Sequence, residues 1–225
     1  TNLVSGAGVV ATDVTGVGTA RYCLAACEYG GDKGIFGFGY DDSDYTGVTN
    51  LVSSSGVVAT DVTGVGTARR QLAACSYGGD KGIFGFGDIS GGSNTGVTNL
   101  VSNAGVVASD VTGVGTARDY LAACEYGTDT AIFGFGNDGS ATAVTNLVSN
   151  AGVVATDVTG VGTARQTLAA CGYGYDKGIF AFGWDGSSRV STSNLVSNAG
   201  VVATDTTGVG TVRQYLGATQ YGRDK

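Results

Sequence analysis

An all-β fold of five similar sectors is what this sequence predicts. Three observations carry it: a unit recurring about every 48 residues, short runs rich in Val, Ile, Phe, Tyr and Thr within each unit, and Gly-rich punctuation between the runs. The segment T/S-N-L-V-S begins at Thr1, Thr49, Thr98, Thr145 and Ser193, giving spacings of 48, 49, 47 and 48 residues. A period of this size marks a solenoid, a propeller or an array. Each unit continues as G-V-V-A-(T/S)-D, T-G-V-G-T-(A/V)-R and L-(A/G)-A-(C/T)-x-Y-G, and in the first four units G/A-I-F-G/A-F-G follows.

The second unit shows the elements in order. Strands are expected near Leu51 to Ser53, Val57 to Asp61, Arg69 to Tyr77 and Gly82 to Gly87, because β-branched and aromatic runs bounded by turn signals favour the pleated conformation. Tyr77-Gly78-Gly79-Asp80-Lys81 reads as a tight hairpin turn, since Gly and Asp accept positive φ. Glycine within Gly82-Ile83-Phe84-Gly85-Phe86-Gly87 weakens a lone strand but lets a neighbouring backbone come close. Four strands per unit, repeated radially, is the arithmetic of a five-bladed β-propeller with four-stranded blades, one domain over residues 1–225. The competing reading makes Thr67 to Cys75 a helical nonamer and each unit a solenoid turn, but nine residues form a marginal helix.

Composition narrows function. The 225 residues include 41 Gly but no His, Pro or Met, so imidazole-based triads, dyads and the usual zinc and haem sites are excluded. Twelve basic against 19 acidic residues give a formal charge of −7, which argues against nucleic-acid or anionic-membrane partners. No apolar run is long enough to suggest membrane insertion. The chain reads as soluble, and its start without Met inside a unit is what a processed or truncated piece would show. Cys27, Cys75, Cys124 and Cys171 recur at one place in successive units; they show no metal-ligand spacing and read as small reduced core residues. Cys23 and Cys27 lie roughly 13 Å apart on an extended strand, too far for a disulfide.

The unit A-R-x-x-L-A-A-C-x-Y-G-x-D-K-G-I-F-G-F-G resembles a kelch repeat, with Arg21, Arg69, Arg118, Arg165 and Arg213 at the Arg position and Phe38-Gly39 and its equivalents where that family has a Gly pair. The doublet is Phe-Gly rather than Gly-Gly, and the family's late Trp is absent. The wording of the unit is also similar to repeats in virion proteins of marine tailed phages. These resemblances imply a non-enzymatic binding or structural module on a phage particle or cell surface. They also imply that L-A-A-C forms the innermost strand of each blade and that Tyr215 to Gly222 returns beside Thr1 to Asp13 to close the ring. One strand of that shared blade is absent, so a closed ring predicts a monomer and an unfinished blade predicts association.

Positions identical in every unit are expected to serve folding, and positions that differ are free to meet a ligand. By that test Asp13, Asp61, Asp110, Asp157 and Asp205, with the Arg eight residues after each, form a scaffold couple that bridges strands or holds the T-G-V-G-T loop. A cation-binding carboxylate ring is the weaker reading, because one Asp per blade falls short of the oxygens that Ca²⁺ takes. The Gly16-Val17-Gly18 stretch and its copies read as turns rather than phosphate loops. Stretches after each F-G differ, and they supply the candidate ligand residues Tyr40, Asp41, Asp42, Asp44, Tyr45, Asp88, Asn94, Asn137, Asp138, Trp184, Asp185 and Arg189, all on one face. Aromatic rings with short amides and carboxylates suit a glycan or protein ligand, while the plainer reading is that such loops favour Asp, Asn and Gly for turn geometry alone. No metal or cofactor is expected. Two further readings stay open: a glycosidase using paired carboxylates, for which Glu28, Glu125 and the Asp41-Asp42-Asp44 cluster are the material, and an engineered repeat protein without a natural role.

Overall fold

The computed structural model describes residues 1–220, which form fifteen β-strands in five three-stranded antiparallel sheets and no helix. The first sector contributes β1 (Ala25–Tyr29), β2 (Lys33–Gly37) and β3 (Thr49–Val52). The second contributes β4 (Arg69–Arg70), β5 (Ala73–Tyr77), β6 (Lys81–Gly85), β7 (Asp88–Ile89), β8 (Ser93–Asn94) and β9 (Thr98–Val101). The third holds β10 (Ala122–Tyr126), β11 (Thr130–Asn137) and β12 (Ala141–Val148); the fourth holds β13 (Ala169–Tyr173), β14 (Lys177–Trp184) and β15 (Arg189–Val196).

Four sheets follow one plan, in which an A-A-C-containing strand pairs with the I-F strand and that strand with T-N-L-V, as in β1-β2-β3 and β5-β6-β9. The fifth sheet, β4-β7-β8, is not a further sector. It is the outward continuation of the second one, and in the third and fourth sectors that continuation is fused into β11–β12 and β14–β15, with register shifts at Gly134/Gly136 and Ala181/Gly183. The expected run Val57 to Asp61 is not a strand. Its backbone meets β3 at a single bridge, Val52↔Val58, followed by Thr49↔Val62 just beyond it, and Asn50 of β3 donates to Ala59 O and Asp61 Oδ1, so the sheets are three-stranded with a bridged rim rather than four-stranded. The helical alternative over Thr67 to Cys75 is replaced by β4 and β5.

The expected strand Arg69 to Tyr77 is broken at Gln71, whose φ is 56°; Cys23, Tyr120, Thr167 and Tyr215 take the same turn, with φ of 55°, 51°, 55° and 57°. Left-handed backbone costs a residue with a Cβ about 1–2 kcal/mol, and something must hold it. A relay of backbone bonds does: Gln71 N donates to Cys23 O, Tyr120 N to Gln71 O, Thr167 N to Tyr120 O and Tyr215 N to Thr167 O, at 2.9–3.0 Å. Each sector is thereby tied to the one before it, and β1, β5, β10 and β13 pack side by side in that order.

Between neighbouring sheets the core alternates along the A-A-C strand, so that Ala73, Cys75 and Tyr77 are buried while Ala74 and Ser76 are half-buried. Phe38 stacks edge-on against Phe84, and Phe86 against Phe133, with centroids 5.2 Å apart. Glycine makes this possible: a Cβ on Gly85 or Gly134 would stand 2.7 Å from the tip of the neighbouring Phe133 or Phe180 ring. All five cysteines are free, and burial pushes the Cys27 thiol up to about 12.

The repeated Asp and Arg form the seams between sectors. Asp110 does not pair with the Arg eight residues later. Its carboxylate accepts hydrogen bonds from the N–H and hydroxyl of Thr67 at 3.0 and 2.6 Å, holding the preceding unit's T-G-V-G-T loop, and from Asn99 at 2.8 Å. The same arrangement recurs at Asp61, Asp157 and Asp205. Behind it lies the preceding unit's Arg. Arg69, Arg118 and Arg165 are fully buried, with Arg118 Nε donating to Phe135 O at 2.9 Å, Nη2 donating to Asn146 Oδ1 at 2.7 Å, and the guanidinium 4.2 Å over the Phe86 ring. Desolvation lowers these three guanidinium groups to about 10, so they stay charged at neutral pH.

Candidate functional site

Besides the stretches after F-G, the repeats diverge at the left-handed residue after the invariant Arg and at the residue before it: Tyr22-Cys23, Arg70-Gln71, Asp119-Tyr120, Gln166-Thr167 and Gln214-Tyr215. In the first four sectors the preceding residue bridges the first residue after F-G, pairing Tyr22 with Tyr40, Arg70 with Asp88, Asp119 with Asn137 and Gln166 with Trp184. The variable loops and the variable half-turns therefore meet at one end of the sheets, and sequence reasoning found only the loop partner of each pair, Tyr40, Asp88, Asn137 and Trp184. Variation between units immediately after the invariant Arg was the available signal.

At the first and second sectors Tyr40 sits edge-on to Tyr22 and Tyr45, with centroids 5.6 and 5.4 Å apart, and Arg70 lies 5.3 and 5.0 Å over Tyr40 and Tyr45. Arg70 Nε and the Tyr45 hydroxyl both donate to Asp88 Oδ2, at 3.0 and 2.8 Å. Asp88 is thus held from two sides, by a cation and by a neutral hydroxyl donor. Its neighbour Asp119 is also buried, with Oδ1 lacking a hydrogen-bond partner among the described residues. Burial, then the charge of Asp88, raises the Asp119 carboxyl to about 6.

The third and fourth sectors, with Tyr215 of the fifth repeat, line an open cavity of about 480 Å³ whose wall includes Asn137, Gln166, Trp184, Arg189 and Tyr120. Trp184 and Arg189 face each other across β14 and β15. Asn94 is not in this wall: its side chain donates to Asn137 O at 2.8 Å and links adjacent sectors.

The remaining loop carboxylates build turns. Asp41 Oδ1 accepts from Ser43 N and Asp44 N at 3.0 and 2.9 Å, Asp44 accepts from Tyr45 N at 2.7 Å, and Asp185 Oδ1 accepts from Ser187 N and Ser188 N, both at 2.8 Å. These backbone donors hold the Asp41 and Asp185 carboxyls below their ordinary value. Asp42 takes a left-handed φ of 71°, and Asp138 N closes its turn on Ser140 O. Among the described residues no group of three or more His, Cys, Asp or Glu could hold a metal ion.

Two further cavities are lined by residues from all five repeats. One, of about 230 Å³, has Leu24, Leu72, Leu121, Leu168 and Leu216 in its wall. The other, of about 340 Å³, has Glu28, Ser76, Glu125, Gly172 and Gln220 among its lining residues. No protein family matches the chain, and no curated protein is detectably similar to it.

Proposed function

We propose that the repeats close round an axis as a five-bladed β-propeller, and that the chain is a non-enzymatic binding module presenting its divergent end to a glycan. Inner strands that neighbour one another in sequence order, together with two cavities each shared by all five repeats, support the ring. The observation that carries the function is the convergence of unit-specific residues at one end, while residues common to all units are spent on seams. Trp184, Tyr120 and Tyr215 offer apolar faces to sugar C–H surface, and Gln166, Asn137, Gln214 and Arg189 offer the polar groups that fix orientation.

Screening the intact chain on a glycan array tests this. At least one glycan class binds, the Trp184 emission responds, and Trp184→Ala weakens binding about tenfold or more, the usual effect of removing an aromatic anchor. Absence of any glycan ligand overturns the glycan reading, and a protein captured by the same end in its place would reassign the ligand class.

One observation favours a second reading. The buried Asp88 and Asp119 give a carboxylate pair in which Asp119 is raised to about 6, the asymmetry that an acid and its ionised partner need. Arg70 and Tyr45 occupy Asp88, however, and neither carboxylate lines the 480 Å³ cavity. Turnover of a chromogenic glycoside that disappears in Asp119→Asn would establish the hydrolase instead.

A further inference from the structure

We infer that the cavity walled by one leucine from each repeat is a pocket for a compact apolar group of about benzene size. This rests on the glycan reading above, which makes that group the apolar aglycone of a glycoside. Leu24, Leu72, Leu121, Leu168 and Leu216 line it, each directly following the left-handed residue of its unit. Leu72, Leu121 and Leu168 are 6% exposed, yet a cavity of about 230 Å³ remains between the side chains. Protein interiors leave few voids larger than a water molecule, so a leucine cluster that served folding alone would have closed on itself. A dry cavity of about 150 Å³ lined by leucine, isoleucine and phenylalanine already takes a benzene ring.

The wall favours hydrocarbon over water. A buried water needs about two to four polar partners, and the polar groups beside the leucines are already engaged. The N–H groups of Gln71, Tyr120, Thr167 and Tyr215 are spent on the inter-sector relay, as are the carbonyls of Cys23, Gln71, Tyr120 and Thr167. At the mouth, Gln71 Nε2 donates to the Tyr120 hydroxyl, and the Thr167 hydroxyl donates to Gln166 O. The 340 Å³ cavity differs, because Glu28, Ser76 and Glu125 in its wall offer polar groups to water. The leucine cavity also adjoins the proposed ligand site. Tyr120, Thr167 and Tyr215 line both it and the 480 Å³ cavity, and the rings of Tyr120 and Tyr215 meet edge-on with centroids 5.8 Å apart. A glycoside whose sugar lies against Trp184 and Gln166 therefore has this pocket beside it. Polar groups that orient the sugar and an apolar wall that takes its aglycone then form one site, the usual division of labour in a ligand pocket.

Fluorine NMR on the 225-residue chain tests the pocket without any sugar. Fluorobenzene gives a saturable shift, and 3-fluoropyridine, of the same shape, binds about tenfold more weakly or worse, because the hydrogen bonds its ring nitrogen makes with water are not replaced there. Leu24→Asp, at a half-buried position, removes fluorobenzene binding, and Leu24→Met keeps it within about threefold. No saturable shift, or equal binding of the two rings, overturns the pocket, and the ring comparison decides even where Leu24→Asp does not fold. The link to the saccharide is read from phenyl and methyl glycosides of glucose, galactose, mannose and N-acetylglucosamine. At least one phenyl glycoside binds about tenfold or more tighter than its methyl counterpart, and fluorobenzene abolishes that advantage. Phenyl and methyl glycosides that bind equally remove the aglycone and leave the glycan reading in place. Fluorobenzene binding with no glycoside bound removes the glycan reading and leaves the apolar pocket.

Discussion

At the scale of single residues, carboxylates that look alike in sequence respond oppositely to acid. Burial works against ionisation of Asp157, but hydrogen bonds from Thr116 and Asn146 outweigh it and hold the carboxyl below its ordinary value. Such a group adds stability that is present above the unfolded carboxylate pKa and lost as pH falls through the folded one. Asp119 has the reverse sign. Raised to about 6, it binds its proton more tightly folded than unfolded, so it costs stability as pH climbs from about 4 to about 6, and the cost stays constant above that. Asp119→Asn removes the cost, since an amide can still meet Asn137. The variant is therefore more stable than the parent at pH 8 by about 1–2 kcal/mol after allowing for screening, and the two converge below pH ~4. Melting curves across pH 3–8 check this; parallel curves throughout would show that Asp119 is not buried beside Asp88.

At the scale of strands and turns, the repeat makes much of the fold legible, and left-handed backbone hides the rest. The I-F and T-N-L-V strands and the Gly-Gly-Asp hairpin turn follow from propensity, but they form as Thr49–Val52 and Lys81–Gly85 rather than at Leu51 to Ser53 and Gly82 to Gly87, because Phe86 and Gly87 take left-handed backbone with φ of 62° and 109°. Gln71 and Thr167 carry no such sign, because neither residue type favours positive φ and only the inter-sector relay holds them there. The outer run Val57 to Asp61 reads as a strand but forms a bridged rim, since Val57 is 65% exposed and Asp61 is drawn off to the T-G-V-G-T loop. For the candidate site, post-F-G loops were legible through their variation; Arg70, Asp119 and Gln166 were overlooked because they adjoin an invariant Arg. The glycine of the I-F-G-F strand gives the element-scale prediction. Gly134→Ala drives a Cβ to 2.7 Å from Phe180 and destabilises by about 1–3 kcal/mol, the cost of overpacking. Ala181→Gly costs less than about 1 kcal/mol, the backbone-entropy effect alone. Chemical denaturation of both variants checks the contrast; equal losses would mean that the Phe ladder is not packed through these glycines.

At the scale of the whole molecule, four seams are made and the fifth differs. Asp61, Asp110, Asp157 and Asp205 each hold a Thr of the preceding sector, but Asp13 pairs with Asn2 of its own unit, and among the described residues no hydrogen bond joins it to Thr211. Because each sector contacts chiefly its neighbours, stability is close to a sum of unit and interface contributions, and opening begins where an interface contributes least. Residues 1–20 are exposed throughout and carry one bridge, Val4↔Val10, whereas β5, β6, β10 and β11 are enclosed on both sides. Hydrogen exchange followed by mass spectrometry therefore shows residues 1–20 and 208–220 exchanging orders of magnitude faster than β5 to β11, with protection falling from the second and third sectors toward both ends. The equivalent outer segment 98–111 serves as the internal standard, having the same sequence pattern but a complete seam. Equal protection of residues 1–14 and 98–111 would mean that the fifth seam is as strong as the others.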